Sequence, residues 1–293
     1  MKLLLDSAGA RFDQAIARTF QASGESVSVR EIRNALKSGQ ILVNERRVKP
    51  GSRAKGDETL QFVHFTPRNK QKIQPAPDLL AQLNVLYEDQ RLLALDKPSG
   101  VHTLPQEHLE SNTLLGAAVA HAPEIASFGP PLEGGALHRL DRGTSGVVLF
   151  AKDETVRDDL RVAFQTHAIE KEYFAIVFDP DETWSSSRTL TESLNPSTPV
   201  VRIDPEGLSA KTTVELVRRN EQAHCQLRAV TSTGRRHQIR LHLSHAGTPI
   251  LGDDIYGDAE SADRLALHAS VLSLPSGLLI ESPLPSALQS LLQ

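Results

Sequence analysis

Near the start of the chain, apolar positions recur every fourth residue. Phe12, Ile16 and Phe20 form one stripe, which predicts a helix. Ser28, with Glu31 three residues on, has the spacing of a capping box, so a second helix is expected to begin there. Val29, Ile32 and Leu36 would be its buried stripe, and Ser38-Gly39 its stop. Arg30, Arg33 and Lys37 share the other face. Residues 41–43 and 60–63 read as short strands around a basic turn that carries Arg46 and Arg47. Pro67, Pro75 and Pro77 then interrupt a polar stretch that includes Arg68, Lys70 and Gln71. Residues 66–83 therefore read as a stiffened linker.

From residue 84 onward, apolar bursts alternate with helical stripes. Residues 85–87, 92–95, 147–151 and 173–178 read as strands. Residues 212–217 and 225–230 alternate apolar and polar positions, and are expected to pair. Val156, Leu160, Ala163 and Phe164 form a helical stripe. Residues 237–246 read as a helix, with Thr233 as its N-cap and Gly247 as its stop. The succession lacks regular βαβ alternation, so the expected class is α+β with a mixed, largely antiparallel sheet. The expected organisation is a small module over 1–65, a linker over 66–83 and a large domain over 84–293.

Charge sharpens this division. Residues 1–75 hold 14 Lys and Arg against 7 Asp and Glu, a net +7; the remainder hold 18 against 29, a net −11. Such asymmetry points the N-terminal module at a polyanion. One cysteine, Cys225, excludes an intramolecular disulfide and any multi-thiolate metal site. No apolar run approaches the ~20 residues that span a bilayer, and the apolar start at Leu3-Leu4-Leu5 is broken at Asp6. A cytoplasmic protein without a membrane partner is expected.

Three segments carry chemistry. In the first, Gly134, Gly135, Gly143 and Gly146 surround Asp141 and lead into the apolar strand 147–151. Such a loop can hold one carboxylate at a cleft, or it can be a turn that Asp141 merely caps. Arg139 and Arg142 flank the carboxylate, and nearby cations favour its ionised, nucleophilic form. In the second, Arg235 and Arg236 follow Thr233 at an expected helix start, where the helix dipole disfavours cations unless an anion binds there. Arg240 lies one turn on, where it could pair with Asp141. His237, His242 and His245 do not have zinc-site spacing, and no metal is expected. In the third, Lys171 and Tyr173 share one face of a strand, so Tyr173 could stack on a base or simply fill a core.

Together these segments resemble the RluA-type RNA pseudouridine synthases. The resemblance rests on His138-Arg139-Leu140-Asp141-Arg142-Gly143-Thr144-Ser145-Gly146, on Tyr173, and on Gly234-Arg235-Arg236-His237-Gln238-Ile239-Arg240. Lys97-Pro98-Ser99-Gly100, Gly252-Asp253-Asp254-Ile255-Tyr256-Gly257 and Arg264-Leu265-Ala266-Leu267-His268-Ala269 extend it over nearly all of 84–285. Residues 11–63 are similar to the αL RNA-binding motif. Two departures stand out: Arg236 where threonine is usual, and His102-Thr103-Leu104-Pro105 after Lys97-Pro98.

The resemblance implies the pseudouridine synthase fold and the isomerisation of uridine, without a cofactor. It makes Asp141 the nucleophile, Tyr173 the active-site tyrosine that stacks on uracil and helps remove the C5 proton, and Arg240 the ionic partner of Asp141. Arg139, Arg142, Arg235, Arg236 and His237 would contact RNA at the site. Arg30, Arg33, Lys37, Arg46 and Arg47 would do so in the N-terminal module. The implied substrate is large-subunit ribosomal RNA, with transfer RNA second, bound by a monomer. Two other classes stay open: an inert RNA-binding or ribosome-assembly protein, and a retaining glycoside hydrolase. The latter needs a second carboxylate about 5 Å from the first.

Overall fold

A computed structural model describes residues 1–3, 7–25, 27–63, 65–67, 72–106 and 110–293. Leu4, Leu5, Asp6, Arg68, Lys70 and Gln71, to which the sequence drew attention, lie outside the described residues. The chain divides into two compact units, Met1–Lys72 and Ile73–Gln293.

The first unit contains α1 (Phe12–Ala22), α2 (Val29–Ser38), β1 (Ile41–Val43) and β2 (Leu60–Phe62). Phe12, Ile16 and Phe20 of α1 and Ile32 and Leu36 of α2 meet in one core with Ile41, Val43 and Leu60. Ser28 caps α2 by accepting from the Glu31 N–H, and Gly39 ends it in the left-handed conformation that a side chain resists. The two strands pair antiparallel.

The second unit begins with α3 (Pro77–Leu80), followed by β3 (Val85–Glu88), β4 (Leu92–Lys97), α4 (Leu114–His121), β5 (Ser145–Ala151), α5 (Glu154–Gln165) and β6 (Glu170–Phe178). Then come β7 (Arg188–Leu190), β8 (Leu194–Asn195), β9 (Arg202–Ile203), β10 (Thr212–Arg219), β11 (His224–Thr231), α6 (Gln238–His245), β12 (Leu267–Ser273), β13 (Leu279–Glu281) and α7 (Ser286–Gln289). Among the described residues, nine strands form one sheet in the order β3-β4-β5-β12-β6-β11-β10-β7, with β13 added beside β12. Its pairings are antiparallel except for β5 with β12. This is the α+β, mixed and largely antiparallel class expected. No helix among the described residues is long and apolar enough to cross a membrane.

The sheet is covered on both faces where the chemistry-bearing loop enters it. Leu93, Leu95, Val148 and Phe150 pack into one core with α4, while Leu92, Ala94, Val147, Leu149 and Ala151 pack into another beside α5. All seven residues of β5 are therefore buried, which explains its continuous apolar run.

The expected linker differs from what is seen. Residues 73–83 belong to the second unit: Pro77 opens α3, Ala76 donates its N–H to Gly116 O at 2.9 Å, and Leu79 is buried. Proline at a first helical turn starts a helix instead of interrupting one. The helix expected over 237–246 is α6, but its N-cap is His237, not Thr233. Arg235 and Arg236 thus precede the helix, and the dipole conflict in its first turn does not arise. The cause is Gln238, whose buried amide accepts from Arg235 N and Thr233 Oγ1 and donates to Lys211 O, Thr212 Oγ1 and Thr231 Oγ1. These bonds hold the bends of residues 232–233 and the turn at Arg236 around it, ahead of the helix.

Gly146 makes the single parallel pairing possible. It lies at φ +114°, and a Cβ there would stand 2.1 Å from Ala269 O. Gly146→Ala is expected to lower stability by about 3 kcal/mol or more, read from chemical denaturation of the purified protein.

Candidate active site

The loop 137–144 reaches the end of β5 along a path fixed by residues 97–103. Lys97 is fully buried, and its Nζ donates to Pro98 O at 2.9 Å, Arg142 O at 3.1 Å and Thr144 O at 2.8 Å. Ser99 Oγ donates to Gly143 O, and Gly100 N to Arg142 O. Thr103 Oγ1 donates to Leu140 O and accepts from Leu140 N. Thr103, within the departing segment His102-Thr103-Leu104-Pro105, is thus a support behind the loop. Burial, followed by the charge of Arg264, pushes the Lys97 pKa down to about 7.

Asp141, held on this loop, opens into a cleft of about 590 Å³. It is the one acidic residue among the described residues lining that cleft. A glycosidase pair of carboxylates is therefore not formed there. Tyr173 and Lys171 line it from β6, on the shared strand face that alternation requires. His237 and Arg240 line it from the start of α6, and Arg139, Arg235 and Arg236 complete a cationic wall. The acidic second unit thus carries its positive charge around the one carboxylate.

Burial and neighbouring charge set the electrostatics of three of these groups. Arg240 does not hydrogen-bond Asp141. Its guanidinium grips Asp253 in a fork, Nε to Oδ2 at 2.8 Å and Nη2 to Oδ1 at 2.6 Å, and also reaches Asp254 at 2.9 Å. Asp253 is fully buried and is also held by the N–H groups of Ile255 and Tyr256. Burial opposes charge on both partners, but their mutual bonds outweigh it: Arg240 is raised and Asp253 lowered. Arg240 still feels the charge of Asp141 through space. Tyr173 is shifted strongly upward, by burial first and then by Asp141. Its hydroxyl stays protonated and can donate, but it is a poor proton acceptor. Lys171, buried between Phe164 and Ser232 O, is lowered by burial and then by Arg235 to about 8.

The remaining expected contacts scatter. Arg142 is exposed, turns away to donate to Gly100 O, and is not among the cleft-lining residues. Arg235 donates to Ser209 O, and Arg236 to Thr198 O and Pro199 O. His242 is buried, with one ring nitrogen bonded to Thr212 Oγ1 and the other to Glu192 O. In the first unit, Arg30, Lys37, Arg46 and Arg47 are exposed, whereas Arg33 is tied to buried Asp13 at 3.0 Å. Arg33 shares that anchor with Arg11. The sequence reading assigned no role to Lys97, Asp253 and Tyr256, although all three lie in motifs it singled out.

With this geometry in hand, comparison with known proteins is direct. The model of the RNA pseudouridylate synthase family matches residues 91–245. The chain belongs to that family.

It is an RNA pseudouridine synthase, an isomerase. The ribosomal large subunit pseudouridine synthase C of Vibrio parahaemolyticus is 31% identical over 310 residues, covering 98% of this chain and 93% of the relative. That of Escherichia coli strain K12 is 32% identical with the same coverage. The ribosomal large subunit pseudouridine synthase D of Xanthomonas campestris is 29% identical, over 92% of this chain and 77% of the relative. The structure of human RNA pseudouridylate synthase domain containing 4 shares the fold, with a TM-score of 0.56 and 22% identity over 72% of this chain and 92% of the other.

The loop carrying Asp141 depends on the Lys97 ammonium. Lys97→Met would leave three carbonyl oxygens without their donor, so a loss of about 1–3 kcal/mol is expected. Isomerase activity should fall at least tenfold although every cleft-lining side chain is retained. Thermal unfolding and turnover of the variant check both.

Proposed function

We propose that the enzyme converts uridine to pseudouridine in large-subunit ribosomal RNA, with Asp141 as the nucleophile. The observation that carries the assignment is the position of Asp141: a lone carboxylate in a cleft otherwise walled by Arg139, Lys171, Arg235, Arg236 and Arg240. Such a wall suits a phosphodiester backbone, while the carboxylate suits attack on a sugar carbon. The names of the relatives support the ribosomal substrate. A ribosomal substrate implies a cytoplasmic enzyme.

The target uridine must leave its stack to enter the cleft, at a cost of a few kcal/mol. Asp141 then bonds to C1′ as the N1–C1′ bond breaks, and the bonding pair leaves on N1. The uracil turns, C5 bonds to C1′, and the Asp141–C1′ bond opens. Loss of the proton from C5 and gain of one at N1 complete the isomerisation with no atom gained. Tyr173, which lines the cleft, stacks on the base in this reading and donates from its hydroxyl. Arg240, fixed by Asp253, adds a cation to the wall of the same cleft.

Asp141→Asn is expected to abolish pseudouridine formation while folding and RNA affinity persist. The measurement is pseudouridine mapping across total RNA from cells that carry either the wild-type or the variant gene. Sites lost in large-subunit ribosomal RNA support the reading. Sites lost only in transfer RNA would overturn the substrate, and unchanged modification would overturn the nucleophile.

The first unit is proposed as the RNA-binding module, with its net charge of +7 and its exposed Arg30, Lys37, Arg46 and Arg47. Each phosphate contact releases counterions, so affinity should fall with salt. Reversing Arg30, Lys37 and Arg46 to Glu in the full chain should weaken RNA binding and flatten that salt dependence. The rate at saturating RNA should change much less, as titration at several salt concentrations would reveal.

A further inference from the structure

His237 is built into the cleft with unusual care for a residue whose expected role was only RNA contact. It sits at φ 55° and ψ 20°, in the left-handed region that few residues other than glycine adopt, although histidine is among those that do. Its Nδ1 lies 3.0 Å from the hydroxyl of Tyr256, and the two rings meet edge to face at 5.6 Å. The Tyr256 hydroxyl in turn lies 3.1 Å from Val201 O. A carbonyl oxygen can only accept, so the single phenolic proton points at Val201. Towards His237 the Tyr256 oxygen is therefore an acceptor, and Nδ1 must carry the ring proton. In the neutral imidazole this leaves the lone pair on Nε2. That atom lies on the cleft side, 3.9 Å from Asp141 Oδ1, with the side chain 13% exposed.

We propose that His237 Nε2 is the base that takes the proton from C5 in the last step of the isomerisation. The inference rests on the assignment of Asp141 as nucleophile. In the bond-forming step C5 comes to C1′, and C1′ is held at the Asp141 carboxylate. The hydrogen on C5 is thereby carried to within reach of Nε2. The C5–H bond breaks, its electron pair returns to the uracil ring, and the proton goes to Nε2. N1 takes up a proton from the resulting imidazolium or from water, so protons balance. Tyr173 is the rival base, but its proton is held too firmly by burial and by Asp141 for a phenolate to form. His237 is favoured as an acceptor because burial keeps it neutral, outweighing the opposing charge of Asp141. The charged or titratable groups facing it are Asp141 from the loop, Arg236 and Arg240 from its own segment, and Asp253 and Tyr256 from the turn after α6. Below its pKa, which lies under the ordinary imidazole value, Nε2 is already protonated and the rate should fall.

The experiment compares three RNA substrates: ordinary, deuterated at C5 of the target uridine, and carrying 5-fluorouridine there. His237→Gln is expected to slow pseudouridine formation about 10²-fold or more and to expose a primary isotope effect at C5. Fluorine cannot leave as a cation, so on the third substrate the reaction ends once C5 has bonded to C1′. The variant should form that adduct at the wild-type rate. Tyr256→Phe, which frees Nδ1, should show the same pattern more weakly, and Tyr173→Phe should not show the isotope effect. If His237→Gln slows both reactions equally, or the isotope effect appears in Tyr173→Phe instead, the proposal fails. If wild-type enzyme makes neither product, it is the isomerase assignment for this RNA that fails.

Discussion

Lys97 carries its side-chain nitrogen into a fully buried site, and three backbone carbonyls accept from it. Two of those carbonyls, from Arg142 and Thr144, belong to the loop that holds Asp141 and follow it directly. The interaction works as a clamp because it is buried. An exposed lysine could exchange each carbonyl for water, whereas here letting go leaves both the charge and the acceptors unsolvated. The position of Asp141 in the cleft depends on that loop keeping its path. Ser99, Gly100 and Thr103 add bonds along the same seam.

A second buried pair acts on the opposite wall. Arg240 and Asp253 satisfy each other in a fork, and the N–H groups of Ile255 and Tyr256 take up the remaining capacity of the carboxylate. Breaking one partner of such a pair leaves an uncompensated buried charge. The fork therefore fixes the start of α6 against the 252–257 turn. This also fixes Tyr256, whose hydroxyl orients His237. The cation that was expected to hold Asp141 directly thus acts on the site by building the wall opposite it.

Positive charge is distributed with the same economy. The second unit is acidic as a whole, yet its cleft presents cations around one carboxylate. Several of these cations are anchored by carbonyl oxygens, as with Arg235 on Ser209 and Arg236 on Thr198 and Pro199. Arg236, where threonine is usual in the resemblance, ties the segment between β8 and β9 to the rim of the cleft. In the first unit, Arg33 is spent on Asp13 inside the fold, while Arg30 and Lys37 on the same helix face solvent.

Much of this was legible in the order of residues. The four-residue stripe of α1, the Ser28 cap and Gly39 stop of α2, and the apolar run of β5 are local signals, and each reflects a local physical requirement. The motif around Asp141, with Tyr173 and the segment ending at Arg240, named the family and most of the residues that line the cleft, Arg142 excepted. Tertiary structure decided what local pattern could not carry. Pro77 starts a helix because Ala76 and Leu79 find a surface on the second unit. Thr233 loses the cap position because Gln238 draws its amide bonds from β10 and β11. Arg240 turns to Asp253 because that carboxylate, thirteen residues away in sequence, is buried beside it and no other ion pair to it occurs among the described residues. The protonation of Tyr173 and His237 likewise depends on which charges the fold brings near, and on how completely it removes water from them.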